Sequence, residues 1–266
     1  MEFDDSDKII LVGAGNMGSA ILNGCLTNGI NPKSIHIVDP NVETTKHLIK
    51  LEINIHSNYQ SLPNSASIII FAIKPQIMRS ILPYYKPFMG KNTVFLSIAA
   101  GCKIELFESF FKLSPIVRAM PNTPAAIGFG MTVACSNKYV TRNQEQLCNF
   151  LLDGIGAVAW ISDESLMDAV TALSGSGPAY IFLLISKLTA AGVSAGLEPK
   201  FATLLASETV RGAGELAIRS DKTAEELLSN VISPGGTTAA ALKILDSRDG
   251  LGPLIEQTVM AAMERS

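Results

Sequence analysis

The chain has 266 residues, of which 47% are hydrophobic and only 17% charged, and its 21 basic and 24 acidic side chains leave a net charge of −3. This length allows one large domain or two modest ones. The nearly balanced charge argues against nucleic acid or an anionic membrane surface as a partner. Because soluble domains usually carry more charge, the composition predicts that part of the surface is buried against another subunit.

Targeting, membrane and metal signals are weak in this sequence. The first seven residues are acidic and polar, unlike a secretory or organellar leader. No apolar stretch reaches the roughly 20 residues of a bilayer span, because the longest one, residues 179–196, contains Ser186, Lys187 and Thr189. The four cysteines and three histidines have no metal-ligand spacing. We therefore expect a cytoplasmic protein with reduced thiols, no metal site and no membrane segment.

The first part of the chain alternates predicted strands and helices. Helical spacing of apolar residues covers 17–28 and about 43–51. Apolar runs predict strands over residues 8–12, 35–38, 67–73, 94–98 and 116–119. Alternating strands and helices indicate an α/β fold with a doubly wound parallel sheet of the Rossmann type.

The pattern changes near residue 163, after which no strand is predicted. Five helices follow, over residues 165–196, 199–219, 223–231, 237–246 and 252–263. We therefore predict two domains, a dinucleotide-binding domain over residues 1–163 and an all-helical domain over residues 164–266.

A glycine motif follows the first strand and opens the first helix: Gly13-Ala14-Gly15-Asn16-Met17-Gly18. In this context the G-x-G-x-x-G pattern predicts a dinucleotide site. Gly13 permits the tight turn, Gly15 lets the backbone approach a pyrophosphate, and Gly18 allows the helix to pack on the strand. The alternative is a glycine-rich turn without a ligand.

Asp39 ends the second strand, 21 residues after Gly18, where an acidic residue often binds the adenosine ribose of NADH. The alternative is a turn aspartate before Pro40. Asn41 and Asn58 are candidate donors to the 2′-phosphate of NADPH. The choice between the two coenzymes stays open at this stage.

The next two predicted strands end in further candidate residues. The third ends in Ala72-Ile73-Lys74-Pro75, and Lys74 is either a ligand of coenzyme phosphate or ribose or an ordinary solvated lysine. The fourth is followed by Ala99 and Ala100, whose small side chains leave room for a nicotinamide ring.

Three further clusters have both a functional and a purely structural interpretation. Residues 121–124, Pro-Asn-Thr-Pro, form a rigid turn near the expected crevice. Residues 174–180 are small enough for close approach of a ligand or of another helix. Residues 233–238, Ser-Pro-Gly-Gly-Thr-Thr, place backbone N–H groups and hydroxyls at the start of a helix, which suits a small carboxylate or an ordinary helix cap.

Taken in order, these motifs resemble the pyrroline-5-carboxylate reductases, from about Lys8 to Met263. The most specific part of the resemblance is the segment from Asn230 through Thr238 to Leu242. It implies reduction of Δ1-pyrroline-5-carboxylate to L-proline, the last step of proline synthesis, by hydride transfer from NADPH or NADH to the imine carbon. It also implies a homodimer through the C-terminal helices, often assembled further into decamers.

The resemblance implies a role for each of the following residues. Coenzyme contacts fall on Gly13 to Gly18, Asn58, Ala72 to Pro75, Ala99, Ala100 and Asn230. Substrate contacts fall on Asp221, Ser233, Gly236, Thr237 and Thr238. Thr238 hydrogen-bonds the ring nitrogen and, as a poor proton donor, orients it. Asp221 stands where family members carry an acidic residue, and its side chain is shorter than that of Glu.

Three other functions are compatible with parts of this pattern. A 3-hydroxyacid dehydrogenase carries a catalytic lysine with an asparagine four residues on, whereas Lys187 is followed at that distance by Ala191. Reduction of a different imine is disfavoured only by the carboxylate-binding loop. A dinucleotide sensor without turnover would have no need of that loop.

Overall fold

The computed structural model describes residues 7–266, apart from the side chains at positions 42, 44 and 47. Residues 1–6, on which the expected absence of a leader depends, lie outside the described residues. The chain divides into two compact units, one ending at Gly175 and one formed by Ser176–Arg265.

The first unit is built on one eight-stranded sheet. Its strands are β1 (Ile9–Val12), β2 (Ile35–Val38), β3 (Asn54–His56), β4 (Ile68–Phe71), β5 (Val94–Ser97), β6 (Ile116–Met120), β7 (Gly130–Ser136) and β8 (Gly156–Trp160). Their order across the sheet is β3-β2-β1-β4-β5-β6-β7-β8. All neighbouring pairs are parallel except β6 and β7, which are antiparallel.

Each unit has its own set of helices. The first unit contains α1 (Asn16–Thr27), α2 (Val42–Thr45), α3 (Pro75–Ile81), α4 (Ile104–Phe110), α5 (Arg142–Asp153) and α6 (Met167–Val170), which continues as a π-helical turn over Thr171–Gly175. The second unit is all-helical, with α7 (Gly177–Ser194), α8 (Pro199–Arg219), α9 (Ala224–Asn230), α10 (Thr237–Leu245) and α11 (Leu251–Arg265).

The strands are buried on both faces because they are apolar throughout. Alternate residues of β1 point to opposite sides, so that Ile9 and Leu11 join one core while Ile10 and Val12 join the other. Helices α1 and α5 pack on the first face, and α3 and α4 on the second. This confirms the predicted Rossmann-type sheet and directs the carboxyl ends of β1, β2 and β4 to one edge.

The sheet contains one antiparallel pair, at the far end, that the sequence did not predict. Strand β7 runs antiparallel to β6, and β8 pairs parallel with β7. Strand β3 was also missed, because Asn54-Ile55-His56 is short and not uniformly apolar. The helix expected over residues 43–51 is a four-residue α-helix followed by a 3₁₀ segment, Lys46–Leu51.

The long helix predicted at residue 165 spans both units. Residues 164–175 belong to the first unit, where Met167 is fully buried in the core beneath α3 and α4. The whole stretch from 164 to 194 is long and apolar enough, by length and composition, to cross a membrane. The expectation that no segment is long and apolar enough is therefore wrong. Ser186, Lys187 and Thr189 interrupt the apolar residues of this stretch but leave its average hydropathy high enough. Length and composition alone are weak evidence for a membrane span.

Two histidines at the β2–β3 edge form a hydrogen-bonded pair. His36 Nδ1 lies 3.0 Å from His56 Nε2, and His56 Nδ1 lies 2.8 Å from Ser61 Oγ. Burial, together with the nearby His56 and Lys8, lowers the pKa of His36 from 6.5 to about 4. Burial also lowers the pKa of His56. Both rings are therefore neutral at pH 7.

This pair predicts a pH-dependent stability below neutrality. Because protonation of His36 is more favourable in the unfolded chain, its contribution is complete above pH 6.5 and is lost as the pH falls towards 4. Allowing for solvent screening of the half-buried ring, we expect a loss of about 1 to 2 kcal/mol. Urea unfolding of the chain and of His36→Gln across this range measures it. An identical pH slope for the two proteins would refute the prediction.

Candidate functional site

The glycine motif forms the turn between β1 and α1. Gly13 has φ +97°, and a Cβ there would lie 2.6 Å from the Ala72 carbonyl oxygen, so only glycine fits without strain. A Cβ at Gly18 would overlap the Gly13 carbonyl oxygen. A Cβ at Gly15, in contrast, would meet nothing within 4 Å. Gly13 and Gly18 are therefore required by packing, whereas Gly15 faces open space at the start of α1.

Asp39 is held against this turn. Its Oδ2 accepts the Ala14 N–H at 2.8 Å, and its Oδ1 accepts the Asn41 N–H at 2.8 Å. The Asp39 N–H donates to the His56 carbonyl at 3.0 Å, and the Gly13 N–H donates to the Val38 carbonyl at 2.8 Å. The carboxylate is thus fixed on both oxygens between the glycine turn and the end of β2. It serves as a turn residue and also faces the cleft.

A cleft of about 490 Å³ opens beside the turn. It is lined by seven of the predicted coenzyme residues: Gly13, Gly15, Asp39, Asn58, Ala72, Ile73 and Lys74. Ala14, Gly15 and Asn16 also line a neighbouring depression of about 360 Å³ at the start of α1. Of the other predicted contacts, Pro75 begins α3, Ala99 is buried after β5, and Ala100 is exposed.

One wall of this cleft is aromatic and was not predicted from the sequence. Tyr59 and Tyr84 stack with ring centroids 4.6 Å apart, and Tyr85, Ile77 and Ile81 line the same cleft. Tyr59 follows β3, which the prediction overlooked, and Tyr84 follows α3. Only the fold brings these residues together, so no local signal in the sequence could have identified them.

Asn58 and Lys74 occupy defined positions in the cleft wall. The Asn58 Oδ1 accepts the Gln60 N–H at 2.9 Å, which caps a short 3₁₀ turn. Lys74 precedes α3, whose first residue is Pro75, and its side chain is exposed. The Lys74 ammonium therefore faces water beside the cleft.

The Pro-Asn-Thr-Pro turn and the π-helical turn are joined by one side chain. Asn122 Nδ2 donates to the Ser174 carbonyl at 3.2 Å, and Asn122 Oδ1 accepts the Met131 N–H at 2.8 Å. These bonds fix the residues after β6 to the start of β7 and to the π-helical turn. π-Helical turns are frequent at functional sites, and here the turn is held by a polar side chain as well as by packing.

In the second unit, the loop between α9 and α10 leads into a helix start without a capping side chain. Gly235 has φ +73°, and a Cβ at Gly236 would overlap the Ser233 hydroxyl. The Gly236 N–H donates to the Ser233 carbonyl at 3.0 Å, and the first helical bond runs from the Ala240 N–H to the Gly236 carbonyl. Gly236 supplies no capping side chain. The N–H groups of Thr237 and Thr238 therefore stand at the open end of α10.

The two remaining predicted residues flank α9. Asn230 is its last residue, and Asp221 lies in the exposed connection from α8. The structure thus groups Asn230, Ser233, Gly236, Thr237 and Thr238 around one loop, whereas Asp221 lies at the other end of α9.

The cleft fits a dinucleotide on its own geometry. The open space over Gly15 is where a side chain would obstruct a pyrophosphate, and the N-terminus of α1 favours an anion there. The apolar and aromatic wall suits a base, while Asp39 and Asn58 offer polar groups to a ribose. No group of three or more His, Cys, Asp or Glu side chains placed to hold a metal occurs within the described part of the chain.

The glycine geometry predicts opposite effects for two alanine variants. Gly15→Ala should fold with nearly unchanged stability, because its Cβ meets nothing, and should weaken coenzyme binding about 10-fold or more by blocking close approach of the pyrophosphate. Gly18→Ala should instead destabilise the fold by about 1 to 3 kcal/mol through overpacking. Titration with NADH and thermal unfolding measure the two effects. A Gly15→Ala protein with normal binding would contradict this assignment.

Comparison with known proteins gives matches along the whole chain. Residues 8–101 match a family model described as NADP oxidoreductase, coenzyme F420-dependent, and residues 164–266 match one described as pyrroline-5-carboxylate reductase dimerisation. A pyrroline-5-carboxylate reductase from Pseudomonas aeruginosa is 34% identical, covering 97% of this chain and 95% of its own length.

Two solved structures have the same fold. A pyrroline-5-carboxylate reductase from Coxiella burnetii gives a TM-score of 0.92 at 32% identity, covering 98% of this chain and 97% of its own. Plasmodium falciparum pyrroline carboxylate reductase with NADP bound gives a TM-score of 0.86 at 32% identity, covering 99% and 98%.

Proposed function

The chain belongs to the pyrroline-5-carboxylate reductase family, and from that membership we propose how its residues reduce 1-pyrroline-5-carboxylate to L-proline with NADH or NADPH. It is an NAD(P)H-dependent oxidoreductase of proline synthesis. The observation that supports the residue assignment is the cleft at the glycine turn, with open space over Gly15 and seven of the predicted coenzyme residues in its wall.

The coenzyme, when bound, supplies a hydride from C4 of its dihydronicotinamide ring to the imine carbon. The residues from Gly13 to Gly18 accommodate the pyrophosphate at the start of α1. Asp39, Asn58 and the segment from Ala72 to Pro75 contact the adenosine half. Ala99 and Ala100, at the end of β5, leave room for the nicotinamide ring, and Asn230 contacts that ring.

The substrate carboxylate is assigned to the loop before α10. The N–H groups of Thr237 and Thr238 and the Ser233 hydroxyl are its donors, at a helix terminus that favours an anion. The N–H of Gly236 already has a partner in the Ser233 carbonyl, so Gly236 contributes mainly by leaving space. Asp221, in the exposed connection before α9, is assigned to the substrate amine on the strength of the family resemblance.

The chemistry needs little acid–base machinery. A C=N bond accepts hydride readily once its nitrogen is protonated, so the enzyme must chiefly orient the imine and exclude water. Thr238 accepts a hydrogen bond from the protonated ring nitrogen and holds it in place. The proton itself arrives with the substrate or through water, which agrees with a loop of Ser, Pro, Gly and Thr residues.

The assembly and location are inferred from the second unit and the cysteines. Phe182, Ile218 and Ile244 are among many exposed apolar side chains on its helices. A surface of this kind is typical of a subunit interface, which supports a homodimer through the C-terminal helices and, beyond it, a decamer.

All four cysteines are free and buried, which supports a cytoplasmic location. We keep the predicted domain boundary between residues 163 and 164, where the match to the dimerisation family begins, although the compact units divide after Gly175.

The direct test is oxidation of NADH and of NADPH at 340 nm, with and without pyrroline-5-carboxylate. We expect substrate-dependent oxidation, with one proline formed for each coenzyme consumed. Tight coenzyme binding without oxidation, or oxidation with no proline formed, would overturn the proposal in favour of another imine or of a dinucleotide sensor.

A further inference from the structure

We infer that Asp39 makes this reductase prefer NADH and discriminate against NADPH. The inference rests on the proposed function, since it concerns the coenzyme of the same site. A relative at 32% identity is known with NADP bound, so the shared fold accepts a 2′-phosphate. Any discrimination by this chain must therefore come from its own residues at the adenosine end of the cleft.

The first observation is that the Asp39 carboxylate is fixed where the ribose is expected. It follows β2 directly, lines the cleft, and is bonded through one oxygen to Ala14 and through the other to Asn41, both at 2.8 Å. In dinucleotide-binding folds an acidic residue at this position accepts a hydrogen bond from the ribose 2′-hydroxyl. Because both oxygens are bonded to backbone, the carboxylate is not free to swing aside for a phosphate.

The second observation is that cations are missing where a 2′-phosphate would need them. The residues that follow Asp39, Pro-Asn-Val-Glu-Thr-Thr at 40–45, include no Lys or Arg, and Lys46, the next cation along the chain, does not line the cleft. Among the described residues that line the cleft, Lys74 is the one cationic side chain. It follows β4, which lies two strands from β2, about 10 Å across the sheet.

The neighbouring histidine does not supply that charge. The His56 backbone is bonded to the Asp39 N–H, but its ring nitrogens lie 3.0 Å from His36 and 2.8 Å from Ser61. Burial lowers the pKa of His56, so the ring is neutral at pH 7. Its ring nitrogens are also engaged away from the cleft.

These features act differently on the two coenzymes. Each carboxylate oxygen accepts more than one hydrogen bond, so Asp39 can bind a 2′-hydroxyl while it keeps its backbone partners. A 2′-phosphate brings only negative charge and acceptor oxygens to a fixed carboxylate, an arrangement that opposes binding. We therefore expect NADH to bind about 10-fold or more tightly than NADPH.

The test measures dissociation constants by titration calorimetry for NADH and NADPH. It also uses the two adenosine halves, 5′-AMP and adenosine 2′,5′-bisphosphate, which report on the 2′-phosphate without the nicotinamide. The variant Asp39→Asn removes the charge at nearly constant shape, and Asp39→Ser serves if it folds poorly. Asp153→Asn is the matched control, because it makes the same change at the exposed last residue of α5, which does not line the cleft.

We expect a preference of about 10-fold or more for the unphosphorylated ligand in the unmodified chain. Asp39→Asn should bring the ratio within about threefold, and Asp153→Asn should leave it unchanged. Equal or tighter binding of NADPH by the unmodified chain would overturn it. An unchanged ratio in Asp39→Asn, with both constants shifted alike, would show that Asp39 is only a turn residue. Failure of every ligand to bind would refute the proposed function as well, whereas NADPH preference with normal turnover would refute this inference alone.

Discussion

The Thr238→Ala variant is expected to reduce pyrroline-5-carboxylate with a kcat/KM about 100-fold below that of the unmodified chain, while its affinity for NADH and NADPH stays within twofold. The loss follows from the role assigned to the hydroxyl, which orients the ring nitrogen in the transition state. Removal of one preorganised polar contact to a reacting group typically lowers the rate by about 100-fold or more.

The variant is measured by steady-state kinetics and by coenzyme titration. Thr238→Ser keeps a hydroxyl and should restore most of the activity. Thr237→Ala is the matched control, because Thr237 is assigned to the carboxylate through its backbone N–H and should tolerate loss of its side chain. Both residues lie in the first turn of α10, so a general effect on the helix would reduce the activity of both variants equally.

Two results would contradict the assignment. Turnover of Thr238→Ala within twofold of normal would remove Thr238 from the active site. A parallel loss of activity in Thr237→Ala and Thr238→Ala would show that the helix start, and not one hydroxyl, is what matters. A fall in coenzyme affinity would instead place Thr238 beside the nicotinamide.

Much of the first unit was predictable because its signals are local. The glycine motif, the apolar strands β1, β2, β4, β5 and β6, and the change of period near residue 163 are each visible within about ten consecutive residues. Such patterns arise from backbone geometry and burial, which act on short segments. The fold class and the glycine turn followed from them.

The rest of the site depends on contacts between distant segments. The antiparallel direction of strand β7 is set by its pairing with β6, a contact that the sequence of β7 alone does not indicate. The Tyr59–Tyr84 stack and the Asn122–Ser174 bond each join residues separated by 25 or more positions. Neither contact leaves a periodic signal. The dual use of Asp39 was likewise visible only once Ala14 lay beside it.

Replacing Arg118 by Met is expected to lower the free energy of unfolding by about 3 kcal/mol, the largest stability effect we anticipate. Arg118 lies on β6 and is 2% exposed. Its Nη1 is 2.9 Å from Glu164 Oε1, and its Nη2 is 3.9 Å from Asp168 Oδ1. Glu164 Oε1 also accepts the Ile104 N–H at 2.8 Å, at the start of α4. Removing the guanidinium leaves the carboxylates of Glu164 and Asp168, which are 29% and 39% exposed, without their cation, and loss of the charge-assisted hydrogen bond to Glu164 costs about 1.5 to 3 kcal/mol.

The measurement is urea unfolding at pH 7 of Arg118→Met, Glu164→Gln and the double variant. If the loss arises from the uncompensated Glu164 charge, the double variant should be more stable than the sum of the two single losses predicts, by about 1 to 2 kcal/mol. Arg118→Lys keeps the charge without the planar fork and should lie between the unmodified chain and Arg118→Met. Strict additivity in the double variant would show that the two residues contribute independently.

The same ion pair has a consequence for the site. Arg118 lies on the strand that leads directly into the Pro-Asn-Thr-Pro turn, and Glu164 is the residue at which the match to the dimerisation family begins. The pair therefore fixes the end of β6 to the start of the helical segment that continues into α7. If Arg118→Met loses activity at temperatures where it is still folded, while NADH binds normally, the loss reflects misplacement of this segment. Activity that falls only as the protein unfolds would limit Arg118 to stability.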